Sequence, residues 1–86
     1  MSSKKPWFVY ILQCSDDTLY TGITVDVDRR VYEHNNSIKA AKYTRVRRPL
    51  KLIYFETCQD RSSASKRELE IKNLTKEKKL SLAASI

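Results

Sequence analysis

Residues Trp7–Thr24 read WFVYILQCSDDTLYTGIT, two strand-like runs separated by a turn. Trp7 to Cys14 is dense in aromatic and branched residues, the composition of a strand. Ser15-Asp16-Asp17 is a turn signal, because short polar side chains hydrogen-bond nearby backbone and tolerate tight geometry. Thr18 to Thr24 returns as a second strand, so the chain opens with a hairpin. Gly22, the chain's single glycine, lies inside the return strand, where a glycine often marks a bulge or a close approach by another backbone or a ligand. Tyr10 and Tyr20 stand on opposite arms, ten residues apart. The hairpin lets them meet, although two strand tyrosines alone are more often ordinary core aromatics.

Met1 to Pro6 is expected to be a disordered tail. Asp26 caps a helix running to about Asn36. Ser37 to Pro49 is a basic loop. Leu50 to Thr57 (LKLIYFET) is a third strand. Asp60, Ser62 or Ser63 caps a helix from about Ser63 to Asn73, and Thr75 caps another from about Lys76 to Ala84. The order β-β-α-β-α-α describes an α/β chain of the α+β kind: a three-stranded mixed or antiparallel sheet flanked by helices. A length of 86 residues allows one domain, expected over residues 7–84.

Two cysteines, Cys14 and Cys58, are too few for a disulfide framework and fit small core residues in a reducing cytosol. Together with one histidine they lack zinc-ligand spacing. No apolar run approaches the roughly 20 residues of a membrane span. A cytoplasmic monomer without a membrane partner is therefore expected. Charge points to a different partner. The chain carries 17 Lys and Arg against 10 Asp and Glu, a net +7. Six bases fall between Lys39 and Lys51 without one acid. Lys39, Lys42, Arg45, Arg47 and Arg48, with Tyr43 available to stack on a base, suit a phosphate-tracking surface. A merely solvated loop is the bland alternative.

Helical spacing singles out further side chains. At roughly 100° per residue, Val27 and Val31 face the core, Arg30 and His34 flank them, and Arg29 and Glu33 point away. On the later helix Ala64, Leu69, Ile71 and Leu74 mark an apolar arc. Glu68 falls inside it and Glu70 outside. An inward carboxylate must be paired or metal-bound, so Glu68 is either a salt-bridge partner of Arg30 or another base, or a metal ligand.

Together these residues resemble the GIY-YIG nuclease family. Phe8-Val9-Tyr10 stands at the first motif and Tyr20-Thr21-Gly22 at the second. Arg30, eight residues after Gly22, matches the family's helix arginine, and Glu68, in Lys66-Arg67-Glu68, its metal-binding glutamate. His34 matches a position often polar or histidine. The resemblance runs from about Trp7 to Leu74 and is strongest to small stand-alone bacterial members made of this domain alone. Phe8 replaces the first motif's glycine and Thr21 the second's isoleucine. No asparagine follows Asn73, where many larger relatives carry one.

The resemblance implies phosphodiester hydrolysis assisted by one divalent ion, Mg²⁺ or Mn²⁺, held by Glu68. It implies a catalytic set of Tyr10, Tyr20, Arg30, His34 and Glu68. Arg30 would clamp the phosphate, and Tyr10, with Tyr20 positioning it or the water, would take the proton. DNA, single-stranded or branched, is expected over RNA. The competing expectation is a nucleic-acid-binding module or repair-complex adaptor that keeps the fold without the chemistry.

Overall fold

The unbroken apolar run of the first strand demands two covered faces, and the computed structural model shows what covers each. It describes residues 5–85; the expected tail lies outside them except for Lys5 and Pro6, both exposed. Strands β1 (Trp7–Gln13), β2 (Leu19–Thr24) and β3 (Lys51–Cys58) form one sheet in the order β2-β1-β3. Both pairings are antiparallel, which decides between the mixed and antiparallel alternatives. Helices α1 (Val27–Asn36), α2 (Lys42–Arg45), α3 (Arg61–Lys72) and α4 (Lys76–Ala84) complete the chain. The short α2 lies inside the expected loop Ser37 to Pro49; four residues are too few to show a period. No helix among the described residues is long and apolar enough to cross a membrane.

The hairpin closes where expected. Cys14 N–H donates to Thr18 O at 2.8 Å, and Asp17 takes the left-handed conformation (φ 67°). Short polar residues tolerate that region better than most. The Asp16 carboxylate accepts from Thr18 N–H and Oγ1–H.

One face of the sheet, carrying Val9, Ile11 and Tyr54, packs on Ala64 and Ile71 of α3, with Leu82 and Ala83 of α4 at its margin. The opposite face carries Tyr10, Leu12, Cys14 and Leu50 and is covered on α1's side by Val31. A register shift leaves Ile53 between the pairs Ile11–Tyr54 and Leu12–Leu52. This bulge lets Ile53 and Tyr54, neighbours in sequence, both pack on the α3 face. Neither cysteine is in a disulfide, and Cys14 is buried.

Polar fasteners fix the helices. Asp26, Asp60 and Thr75 accept from the N–H groups of Arg29, Ser63 and Lys78, capping α1, α3 and α4. Asn35 bridges α1 to the start of β3, accepting from Leu50 N–H at 2.7 Å and donating to Leu50 O at 3.0 Å. On the other face Arg67 donates from Nε to both oxygens of Glu56, which also accepts from the Tyr54 hydroxyl. That network anchors α3 to β3 one residue before Glu68.

Candidate active site

The first strand's alternation puts Tyr10 on the α1 face, with Gly22 directly opposite on β2. A Cβ on Gly22 would lie 2.5 Å from Tyr10 Oη and 2.6 Å from Cζ. The glycine is therefore a seat for the tyrosine ring, the close approach its strand position suggests. Its φ is not positive, so backbone freedom is not what the site uses.

Tyr10 is 1% exposed. Its Oη lies 2.8 Å from His34 Nε2, and His34 Nδ1 lies 2.7 Å from Thr44 Oγ1. The Thr44 hydroxyl donates its one proton to Ala41 O at 2.8 Å, an acceptor only. Thr44 must therefore accept from His34 Nδ1–H. That fixes the tautomer and leaves the Nε2 lone pair to accept from Tyr10. The direction of the whole chain, Tyr10 to His34 to Thr44 to Ala41, follows from its last carbonyl.

Electrostatics agree with that assignment. Burial, then the Arg30 guanidinium, with Arg48 adding to it, lower His34 to about 4 against the pull of Glu33. The imidazole is neutral near pH 7. Burial and the neighbouring Tyr20 push Tyr10 up to about 12, outweighing Arg30, while Glu68 opposes ionisation further. Arg30 by itself would favour a Tyr10 phenolate, but desolvation prevails.

Tyr20 is half-buried. Its ring meets His34 edge-on at 5.2 Å, Tyr10 at 6.4 Å and Tyr43 in a stacked arrangement at 6.1 Å. Arg30, also half-buried, donates from Nη1 to Glu33 Oε1 at 3.0 Å and to Lys39 O at 3.2 Å. Glu33, expected to point away, instead holds Arg30 in place, while Arg29 reaches it from the exposed side.

Glu68 is half-buried, and its partner is Lys72 at 3.3 Å rather than Arg30. Leu69, expected in the apolar arc, is 62% exposed, because α3 meets the sheet only along the narrow stripe of Ala64 and Ile71. Among the described residues no three His, Cys, Asp or Glu side chains converge. A single carboxylate already facing a cation fits one hard, water-rich divalent ion completed by water and phosphate oxygens, not a closed protein cage.

The basic residues divide into two groups. Lys39, Lys42 and Arg45 are exposed. Arg47 donates to Asp16 Oδ2 and Tyr43 O and lies 3.8 Å over the Tyr43 ring. Arg48 donates to His34 O at 2.7 Å and Ser37 O at 2.6 Å, satisfying carbonyls at the end of α1. Arg48 thus fastens the histidine helix. Thr44, Lys72 and Lys79 belong to the neighbourhood too, and sequence reasoning missed all three. Thr44 had no local signal, and the lysines sit on helices whose placement only the fold reveals.

A three-stranded antiparallel sheet that presents two tyrosines, a helix arginine and histidine, and a glutamate from a later helix defines a nuclease catalytic domain of the GIY-YIG class. The chain belongs to that family: the model of the GIY-YIG catalytic domain matches residues 6–81. Within it the chain is similar to the UPF0213 protein of Desulfotalea psychrophila, 58% identical over 94% of this chain and 74% of that one. The UPF0213 protein of Haloquadratum walsbyi is 57% identical over 88% of this chain and 84% of its own. Two solution NMR structures match as well. That of the Bacillus halodurans UPF0213 protein has 43% identity, a TM-score of 0.57, and coverage of 92% of this chain and 83% of that one. That of an E. faecalis protein has 42% identity, a TM-score of 0.62, and coverage of 98% and 90%.

Proposed function

We propose that the protein is a divalent-metal-dependent endonuclease hydrolysing phosphodiester bonds in DNA, with single-stranded or branched substrates preferred. The observation that carries the reading is the directed hydrogen-bond chain from Tyr10 through His34 to Thr44. A structural tyrosine needs one partner; this one has a neutral base behind it whose tautomer is fixed by a further hydroxyl.

With a pKa near 12, the phenolate fraction of Tyr10 at pH 7 is on the order of 10⁻⁵. Without the ion, a preformed phenolate is too scarce to be the base. Tyr10 instead accepts the water proton on its oxygen while its own proton moves to His34 Nε2, so no buried phenolate forms. His34, of low basicity beside Arg30 and Arg48, gives that proton back to Tyr10 Oη, the proton taken from the attacking water passes on to solvent, and the leaving oxygen takes its proton from a water. Tyr20, nearer to solvent, orients the water against Tyr10.

Arg30 presents permanent charge to the scissile phosphate and is kept in place by Glu33 and the Lys39 carbonyl. Glu68 would hold the Mg²⁺ or Mn²⁺ ion in place of Lys72, and the bound ion supplies charge neutralisation at the phosphate and leaving oxygen. Lys39, Lys42 and Arg45, with Arg47 and Tyr43 behind them, grip the strand.

Labelled single-stranded, duplex and branched DNA, incubated with the protein in Mg²⁺, in Mn²⁺ or in EDTA, tests this reading. Metal-dependent cutting supports it. Binding without cutting on every substrate would replace it with the non-catalytic module.

A further inference from the structure

Strand β2 forms one edge of the sheet, and a cleft of about 290 Å³ lies against it, lined by Leu19, Tyr20, Thr21, Tyr43, Lys72 and Lys79. Tyr20 and Tyr43 give it an aromatic wall, their rings stacked within 25°. Its charged lining residues are both lysines, one on α3 and one on α4. Thr21 is 3% exposed, and its hydroxyl has no hydrogen-bond partner. A buried hydroxyl without a partner is costly to folding, so its presence on the wall of a cationic cleft calls for an occupant. The residues match a molecule with one anionic group and one flat ring. At the small end of the usual size of ligand sites, the cleft takes one such unit.

We propose that this cleft is the subsite for a single unpaired nucleotide of the substrate strand, flanking the bond that is cut, with its phosphate on Lys79 and Lys72 and its base against the Tyr43–Tyr20 wall. The proposal rests on the nuclease reading and adds where the strand goes. Tyr43 belongs to the basic segment and to the cleft, so a strand gripped by Lys42 and Arg45 is led across Tyr43 to the edge of β2. Lys72 joins the cleft to the carboxylate of Glu68. The base comes from a single strand because its face must be free of the neighbouring bases of a duplex stack to meet the aromatic wall.

The test is a titration with thymidine 3′,5′-bisphosphate in EDTA, followed by amide chemical shifts, on the wild type, Lys79→Ala and Thr21→Val. The expected shifts centre on Leu19–Thr21, Lys72 and Lys79. Lys79→Ala should weaken binding about tenfold, the loss of one charge-assisted contact. Thr21→Val should melt at a higher temperature than wild type and yet bind the bisphosphate more weakly. Shifts confined to residues 39–48, or wild-type affinity in both variants, would overturn the subsite. The titration contains no metal and reads no cutting, so it separates the two ideas. A chain that shows this binding pattern but cuts nothing retains the subsite and loses the nuclease reading. A chain that cuts without the pattern loses the subsite alone.

Discussion

Replacing Gly22 with alanine puts one methyl group where Tyr10 lies. The added Cβ would sit 2.5 Å from Tyr10 Oη and 2.6 Å from Cζ, so the ring must move. Overpacking of this kind costs about 1–3 kcal/mol. Displacing the hydroxyl leaves His34 Nε2 buried without a partner, for about 1–3 kcal/mol more. Against this, alanine is favoured over glycine inside a strand by about 0.5–1 kcal/mol. The clash wins, and a net loss of about 1–5 kcal/mol is expected. For a chain of this length each kcal/mol lowers the melting temperature by about 4–8 °C. Urea and thermal denaturation followed by circular dichroism measure it. The mechanism is isolated by repeating the substitution on a Tyr10→Leu background, which lacks the Oη and Cζ atoms. There Gly22→Ala should be neutral or stabilising by about 0.5–1 kcal/mol. Equal destabilisation in both backgrounds would refute the account of Gly22 as the seat of Tyr10.

Other outcomes follow from the same geometry. His34 has a folded pKa of about 4, below the unfolded 6.5, so its contribution is complete above pH 6.5 and is lost as pH falls towards 4. The ceiling is about 3 kcal/mol, nearer 2 after solvent screening, and His34→Gln should flatten that part of the wild-type acid limb; identical limbs would count against a buried neutral imidazole. Arg30→Ala should lower turnover by about 10²–10³, and a rate near wild type would remove its role as phosphate clamp. Lys42→Ala combined with Arg45→Ala should flatten the log–log salt dependence of single-strand binding by about 1.4, two phosphates at roughly 0.7 each. An unchanged slope would take those residues off the binding surface.

The hairpin and the cap residues could be read from sequence because their signals are local. Ser15-Asp16-Asp17 turns the chain with its own side chains, and Asp26, Asp60 and Thr75 each cap the helix that follows. The single strand glycine also carried information, although only the register with Tyr10 shows what approaches it. Elsewhere the period misled. Glu33 falls on the outward side of an ideal helix, yet a long acidic side chain can turn back to meet Arg30. Leu69 falls inside on an ideal wheel, which assumes a broad covered face, and the sheet covers only a stripe of α3. The basic run was visible as charge, but composition cannot divide Arg48, bound to the carbonyls ending α1, from Lys42 and Arg45, which are exposed. Thr44 and Lys79 meet the site only through tertiary packing, and no local pattern announces them.

If Glu68 holds the ion that the proposed cleavage needs, the decisive measurement is cutting by Glu68→Ala beside wild type in Mg²⁺ or Mn²⁺. Wild type should cut, EDTA should stop it, and the variant should bind the same DNA without cutting. Cutting by the variant at the wild-type rate, or by the wild type in EDTA, would contradict that role of Glu68.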